Sequence, residues 1–289
     1  MADGFIILDK DTGLFSRTAG GRVARMFGMK KFGHIGTLDP MATGVLPIAI
    51  GAATKMIPFI EDMHHPKEYL FGVQFGFETD TLDITGRETA RNNVIPATDD
   101  ILRTLPNFIG EISQVPPLYS AVHVGGARAY ELARRGADVQ MPARNVTVYE
   151  LELIGWDGNR AEFRMRCSAG TYVRSIARDI AAACHTIATV DMIRRTQTNG
   201  FSIKNAVKLD FLENLFNNGA DIGQYLMPTD YGLGDIPVCD LNDKDAALYA
   251  NGGFIKTAQR DGLYRVYCGK KLVGIGRVLG GTLRPKRTI

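Results

Sequence analysis

The stretch from Lys31 to Gly51 reads KFGHIGTLDPMATGVLPIAIG, and the interpretation of the whole chain turns on it. It begins as a Gly-rich turn, GTLDP, and opens into an apolar run, VLPIAI. Gly33, Gly36 and Gly44 permit backbone angles that side chains resist, and Pro40 fixes its own φ. These residues predict a loop of special shape that leads into a buried strand over Leu46 to Ile50. Asp39 lies at the tip of that loop. A carboxylate on a rigid support can serve as nucleophile, general base or metal ligand. In an ordinary Asp-Pro turn it only bonds its own backbone.

The longer string resembles the first motif of the TruB family of tRNA pseudouridine synthases: a basic residue, x-G-H-x-G-T-L-D-P, then A-x-G-V-L. The matching residues are Lys31, Gly33, His34, Gly36, Thr37, Leu38, Asp39, Pro40, Ala42, Gly44, Val45 and Leu46. The resemblance makes Asp39 the expected catalytic nucleophile. It makes His34 the side chain that fills the gap left when the target base flips out.

Three further stretches carry the same resemblance. KEYLFGVQFGFETDTLDITG, from Lys67 to Gly86, resembles the K-x-Y…G-x-x-T-D-T-x-D-x-x-G pattern and puts Tyr69 beside the target base. Tyrosine can stack by its face and move a proton through its hydroxyl. Asp80 and Asp83 are expected to order the loop, since T-D-T-x-D lacks the spacing of a calcium site. SAGTYVRSIAR, from Ser168 to Arg178, resembles S-x-G-T-Y-I-R-x-I. It makes Arg174 the expected partner of Asp39, because a guanidinium stays charged and can hold a carboxylate by two parallel bonds. Arg178, one turn further on, becomes a phosphate contact. Met192 to Thr196, MIRRT, resembles the family's L-R-R-T/S block and sets Ile193 against the flipped base.

Two departures stand out. His185 to Thr189 reads HTIAT where the family has Gly-x-x-Ala-His, and Asp11 replaces the usual Pro of L-D-K-P-x-G, with Lys10 and Gly13 retained.

The bulk numbers bound the class. The chain has 289 residues, 45% hydrophobic and 22% charged, with a formal net charge of +3. That is an ordinary globular composition, sufficient for one large domain and one small one. Mild basicity is compatible with a nucleic-acid partner without arguing for it alone. Cys167, Cys184, Cys239 and Cys268 form no C-x-x-C pair, which excludes zinc-knuckle and redox motifs and suits reduced thiols. MADGFIILDKDTG has no basic leader region, and no apolar stretch is long enough for a bilayer. A cytoplasmic protein without membrane association is expected.

The pattern predicts strands over Phe5–Leu8, Leu46–Ile50, Tyr69–Phe77, Val146–Gly155 and Ala161–Cys167, the last two joined at Asp157-Gly158. Helices are expected from a Ser16 or Thr18 cap, over Thr54–Met63, Asp99–Leu105, Ala127–Arg135, Thr171–Cys184 and Leu209–Phe216. Beyond about Asp235 the chain changes to short Gly-punctuated strands around a helix at Asp243–Ala250. The order of elements is α+β. The resemblance sharpens this to a mixed, mainly antiparallel sheet with flanking helices over 1–234, the pseudouridine synthase fold. A PUA-like β-rich module would occupy 235–289. Within the first, a segment at about 119–145 resembles the insertion that grips the tRNA T-arm.

The function implied is isomerisation of uridine 55 in the tRNA T-loop, with no cofactor or metal. Arg22, Arg25, Lys30, Lys31, Arg128, Arg134, Arg135 and Arg144 are candidate phosphate contacts. A guide-RNA-dependent synthase of the dyskerin type is one alternative. A motif so near the N-terminus favours a stand-alone enzyme with no obligate protein partner. A tRNA-folding chaperone with secondary chemistry is the other.

Overall fold

Phe5, Ile6, Ile7 and Leu8 are all essentially without solvent contact, so both faces of their strand are covered. Ile6 and Leu8 enter one apolar cluster with Val23, Ile48 and Phe71. Phe5 and Ile7 enter another with Ile60, Phe201 and Leu233. An unbroken apolar run therefore marks a strand buried on both sides.

The computed structural model describes residues 3–120, 122–135 and 139–289. In chain order the elements are β1 (Gly4–Lys10), α1 (Ser16–Met26), β2 (Phe32–His34), β3 (Thr43–Ile50), α2 (Ile57–Asp62), β4 (Lys67–Phe75), β5 (Phe77–Thr79), β6 (Glu88–Arg91), α3 (Thr98–Thr104), β7 (Gly110–Gln114), β8 (His123–Val124), β9 (Ala127–Arg128) and α4 (Ala129–Arg134). There follow β10 (Arg144–Trp156), β11 (Arg160–Cys167), α5 (Val173–Ala183), β12 (Ala188–Thr198), β13 (Phe201–Ser202), α6 (Leu209–Asn217), β14 (Val238–Asp240), α7 (Asp243–Ala250), β15 (Ile255–Lys256), β16 (Gly262–Cys268), β17 (Lys271–Leu279) and β18 (Thr282–Thr288). Part of the expected gripping insertion, Ala121 and residues 136–138, lies outside the described residues, as do the side chains of Arg128 and Arg134.

The main sheet has nine strands in the order β1-β3-β12-β4-β11-β10-β7, with β2 on β3 and β13 on β12. Its pairings are antiparallel except the short parallel contact of β3 with β12, where Thr43 faces Arg194 and Gly44 faces Arg195. Gly44 is required there: its φ is +98°, and a Cβ would fall 2.1 Å from the Arg195 carbonyl oxygen. α5 packs Val173, Ile176, Ala177 and Ile180 into the first apolar cluster.

Three local expectations are corrected. Ser16 does not cap α1; the helix begins at Ser16 itself, and the hydroxyl bonds Leu38 instead. The helix expected over Thr54–Met63 is split into a short tight turn, Gly51–Lys55, and α2. Pro58 supplies no N–H and so sits in the first turn of a new helix rather than inside a continuous one. The strand expected to reach Phe77 breaks at Gly76, whose φ is +98°.

The C-terminal sheet runs β14-β16-β17-β18-β15 beneath α7, with Tyr249, Val266 and Leu283 in its own core. It is not isolated. Ile275 joins Ile60, Leu233 and Ile236 in the second cluster of the main body. Asp230, 5% exposed, accepts bonds from Arg265 Nη1 at 2.9 Å and Tyr267 Oη at 2.6 Å.

Candidate active site

The Asp39 loop is held from behind by the link between β1 and α1. Lys10 Nζ donates to the Pro40 carbonyl at 3.1 Å, and the Gly13 amide donates to it at 2.8 Å. Thr12 donates to Met41 O at 3.1 Å. Ser16 Oγ both donates to Leu38 O and accepts from Leu38 N, each at 3.0 Å. Lys10 is fully buried, and desolvation pushes its ammonium down to about 8. Its remaining donors go to Asp11 O and Leu14 O. The loop carrying Asp39 is thereby fixed on both sides of it, at Leu38, Pro40 and Met41.

The Asp39 side chain is 43% exposed, and its Oδ2 lies 2.8 Å from Arg174 Nη2. Arg174, from the first turn of α5, is 5% exposed. Its Nη1 lies 3.4 Å from Asp83 Oδ2 and donates to Thr81 O at 2.8 Å; Nη2 also donates to Tyr119 O at 3.0 Å. The partnership with Asp39 is as expected, but the geometry is not a two-bond clamp. The guanidinium spans two carboxylates and two carbonyls, so each Asp receives one corner of it. Asp83 does order its loop, its Oδ1 accepting from Thr81 Oγ1, Thr85 N and Thr85 Oγ1. It also faces Arg174, a role the sequence alone did not suggest.

Asp39 and Arg174 line a cavity of 190 Å³ together with Thr37, Leu38, Ala42, Lys67, Tyr69, Gly170, Thr171, Tyr172, Val173 and Ile193. Tyr69 and Lys67 alternate onto the same face of β4. Tyr69 stands opposite Arg195 across the β4–β12 pair. Burial pushes the Tyr69 phenol up, only partly opposed by Arg195, so it is neutral at ordinary pH. Arg195 is 1% exposed and bonds the carbonyls of Val45 and Gly36. Gly36 contributes its φ of +66° and its lack of a Cβ, which would meet Arg195 Nη1 at 2.9 Å. Burial, then Arg195, pushes the Lys67 ammonium down.

His34 and Lys31 lie in a neighbouring depression with Arg17, Lys30, Phe32, Gly33 and Ile57. Thr37 joins the two hollows: it lines the first, and its Oγ1 is 2.9 Å from His34 Nε2. Burial, with Arg195 and Arg17 nearby, lowers the His34 pKa and favours a neutral ring. Arg178 stands apart. Its guanidinium bonds Asp179 Oδ1 at 2.8 Å and Val115 O at 3.1 Å, outside both hollows. Arg22, offered as a phosphate contact, is engaged in an ion pair with Glu213. The atypical His185–Thr189 segment is remote: Thr189 faces Gln74, six residues along β12 from Arg195, or about 20 Å of strand. Its Thr186 and Thr189 hydroxyls bond Val94 O and Phe77 O. Among the described residues no cluster of His, Cys, Asp and Glu could hold a metal.

A family model described as TruB family pseudouridylate synthase (N terminal domain) matches residues 24–173. The chain belongs to the TruB family. A second TruB model, Pseudouridine synthase II TruB, C-terminal, matches residues 237–289, the five-stranded sheet. Among TruB relatives, the tRNA pseudouridine synthase B of Caulobacter vibrioides is 40% identical, covering 98% of this chain and 95% of its own. The protein of that name in Ehrlichia chaffeensis is 42% identical, covering 95% of this chain and 93% of its own. The TruB fold is also that of a solved Cbf5-Nop10-Gar1 complex, at 23% identity and a TM-score of 0.73, covering 99% of this chain and 84% of that one. Sequence reasoning about the TruB site missed Lys67 and the role of Arg195. Strand alternation from Tyr69 points to the first; the second depends on a cross-strand register that no local pattern carries.

Proposed function

We propose that this chain converts uridine 55 in the T-loop of tRNA to pseudouridine, with Asp39 as nucleophile. The observation that carries the reading is the Asp39 carboxylate held 2.8 Å from Arg174 at the mouth of a cavity walled by Tyr69. At 190 Å³ that cavity has room for one flipped heterocycle. The target base leaves its stack, Tyr69 and Ile193 bracket it, and Thr37 and Leu38 shape the rim. His34 fills the gap that the flipped base leaves, Lys31 contacts the RNA backbone, and Gly36 lets the turn adopt its shape. Arg178 is a phosphate contact only if RNA draws it from Asp179. Asp39 attacks at the ribose C1′ or at the base, the glycosidic bond breaks, and C5 joins C1′. Tyr69 assists loss of the C5 proton. The C-terminal sheet, from about residue 235, strengthens the grip on tRNA.

The full-length relatives named tRNA pseudouridine synthase B favour this over a guide-RNA enzyme, and the assembled Asp39–Arg174–Tyr69 group favours it over a purely binding chaperone. The experiment is single-turnover conversion of an unmodified tRNA transcript by the purified protein alone. Wild type converts it, and Asp39→Asn binds it without converting it. A variant within about tenfold of wild type, some 1.4 kcal/mol in barrier, defeats the assignment.

A further inference from the structure

The cavity holds a cation that the fold does not use. Lys10 is buried and Lys67 half-buried, and the two are treated differently. Lys10 gives its three protons to the carbonyls of Asp11, Leu14 and Pro40. Lys67 makes no hydrogen bond and no ion pair within 4.0 Å among the described residues; Glu61 and Cys167 act on it only through space. Its nearest strong influence is another cation, Arg195, and Nζ lies 3.6 Å from where a Gly36 Cβ would stand. An ammonium withdrawn from water without a partner is costly. It lines the cavity that Asp39 and Tyr69 also line.

We propose that Lys67 is a catalytic residue that binds a carbonyl oxygen of the target uracil and neutralises the charge that collects there during isomerisation. This rests on the reading of Asp39 as nucleophile. If Asp39 displaces N1 from C1′, the C1′–N1 pair remains on the departing uracil, which becomes an anion. If Asp39 adds to C6 instead, the C5–C6 π pair shifts to C4–C5, the carbonyl π pair moves onto O4, and the C1′–N1 bond breaks afterwards with its pair left on the base. Either way the negative charge sits on the carbonyl system. It is discharged when C5 bonds C1′, the carboxylate is released, C5 loses its proton and N1 gains one. The sum is an isomerisation with no other reactant. A cation preplaced where charge develops, and unpaired beforehand, needs no reorganisation to stabilise it.

The test is a cycle of enzyme and substrate changes. Lys67→Met should slow single-turnover conversion at saturating enzyme by about 100-fold, as removal of one charge-stabilising donor does, while tRNA affinity stays within about threefold. 2-Thio- and 4-thiouridine at the target weaken one carbonyl acceptor at a time. The sulfur that disturbs the Lys67 contact should slow wild type but add nothing in Lys67→Met. Lys67→Gln carries the same cycle if the methionine variant fails to fold. Conversion within tenfold of wild type, or equal thio effects in wild type and variant, overturns the proposal. Failure of wild type to convert any uridine would instead overturn the Asp39 reading.

Discussion

Ser16 and Leu38 satisfy each other completely: one hydroxyl accepts the Leu38 amide and donates to the Leu38 carbonyl, both at 3.0 Å. The pair ties the start of α1 to the residue before Asp39. Ser16→Ala leaves two buried backbone groups without partners, at a cost of about 1–3 kcal/mol each way the loop cannot relax. The expected result is a lower melting temperature and a single-turnover rate reduced by about tenfold or more, with tRNA affinity unchanged, since a small displacement of a nucleophile is costly. A folded variant with normal chemistry would show that the loop is held well enough by Lys10 and Gly13.

Arg174→Lys should behave as a severe change. One ammonium cannot reach Asp39, Asp83, Thr81 O and Tyr119 O together, as the planar guanidinium does. The chemical step should fall by at least about tenfold with little loss of tRNA binding. If affinity collapses and chemistry survives, Arg174 is a phosphate contact.

Lys10 gives stability a distinctive pH dependence. Its folded pKa of about 8 lies below its ordinary 10.5. Between those values the unfolded chain holds more protons, so stability rises with pH, at up to about 1.4 kcal/mol per unit. Lys10→Met lacks this slope. Urea unfolding at pH 7.5 and 9.5 should therefore show wild type gaining on the variant as pH rises; a constant or falling difference contradicts it.

Lys286 and Arg287 are exposed and line a hollow with Lys55, whose Nζ donates to Thr288 O at 2.9 Å. Replacing both with Ala should weaken tRNA binding and flatten its salt dependence by about 0.7 to 0.9 in slope per lost phosphate contact. Conversion at saturating enzyme should not change. This double variant is a cleaner probe than truncation near Asp235, which would strip the buried Asp230 of Arg265 and Tyr267. An unaltered affinity and slope would remove this face from the RNA interface.

Local periodicity carried most of the secondary structure. α5 lies where Val173, Ile176, Ala177 and Ile180 share a face, and α7 spans Asp243–Ala250 as expected. Asp39, Arg174 and Tyr69 were legible because each sits in a recognisable string, and they do line one cavity. What escaped was pairwise and distant. Ser16 looks like a helix cap by type and position, yet its partner is 22 residues away. Arg195 reads as one more basic residue in RRT until register sets it opposite Tyr69. Asp83 reads as a turn residue because nothing in TDTLDITG reveals which face Arg174 approaches.

The parallel seam between β3 and β12 has a kinetic meaning. Thr43 Oγ1 bonds the Ile193 carbonyl across 150 residues of chain, and only two residue pairs form the ladder there. β1 and β3 form one antiparallel unit, while β4, β10, β11 and β12 form another. Contacts that close so long a loop gain least until both partners are already ordered. Asp39 belongs to the first unit, Tyr69 and Arg174 to the second. The cavity that the three line therefore exists only where the two units meet.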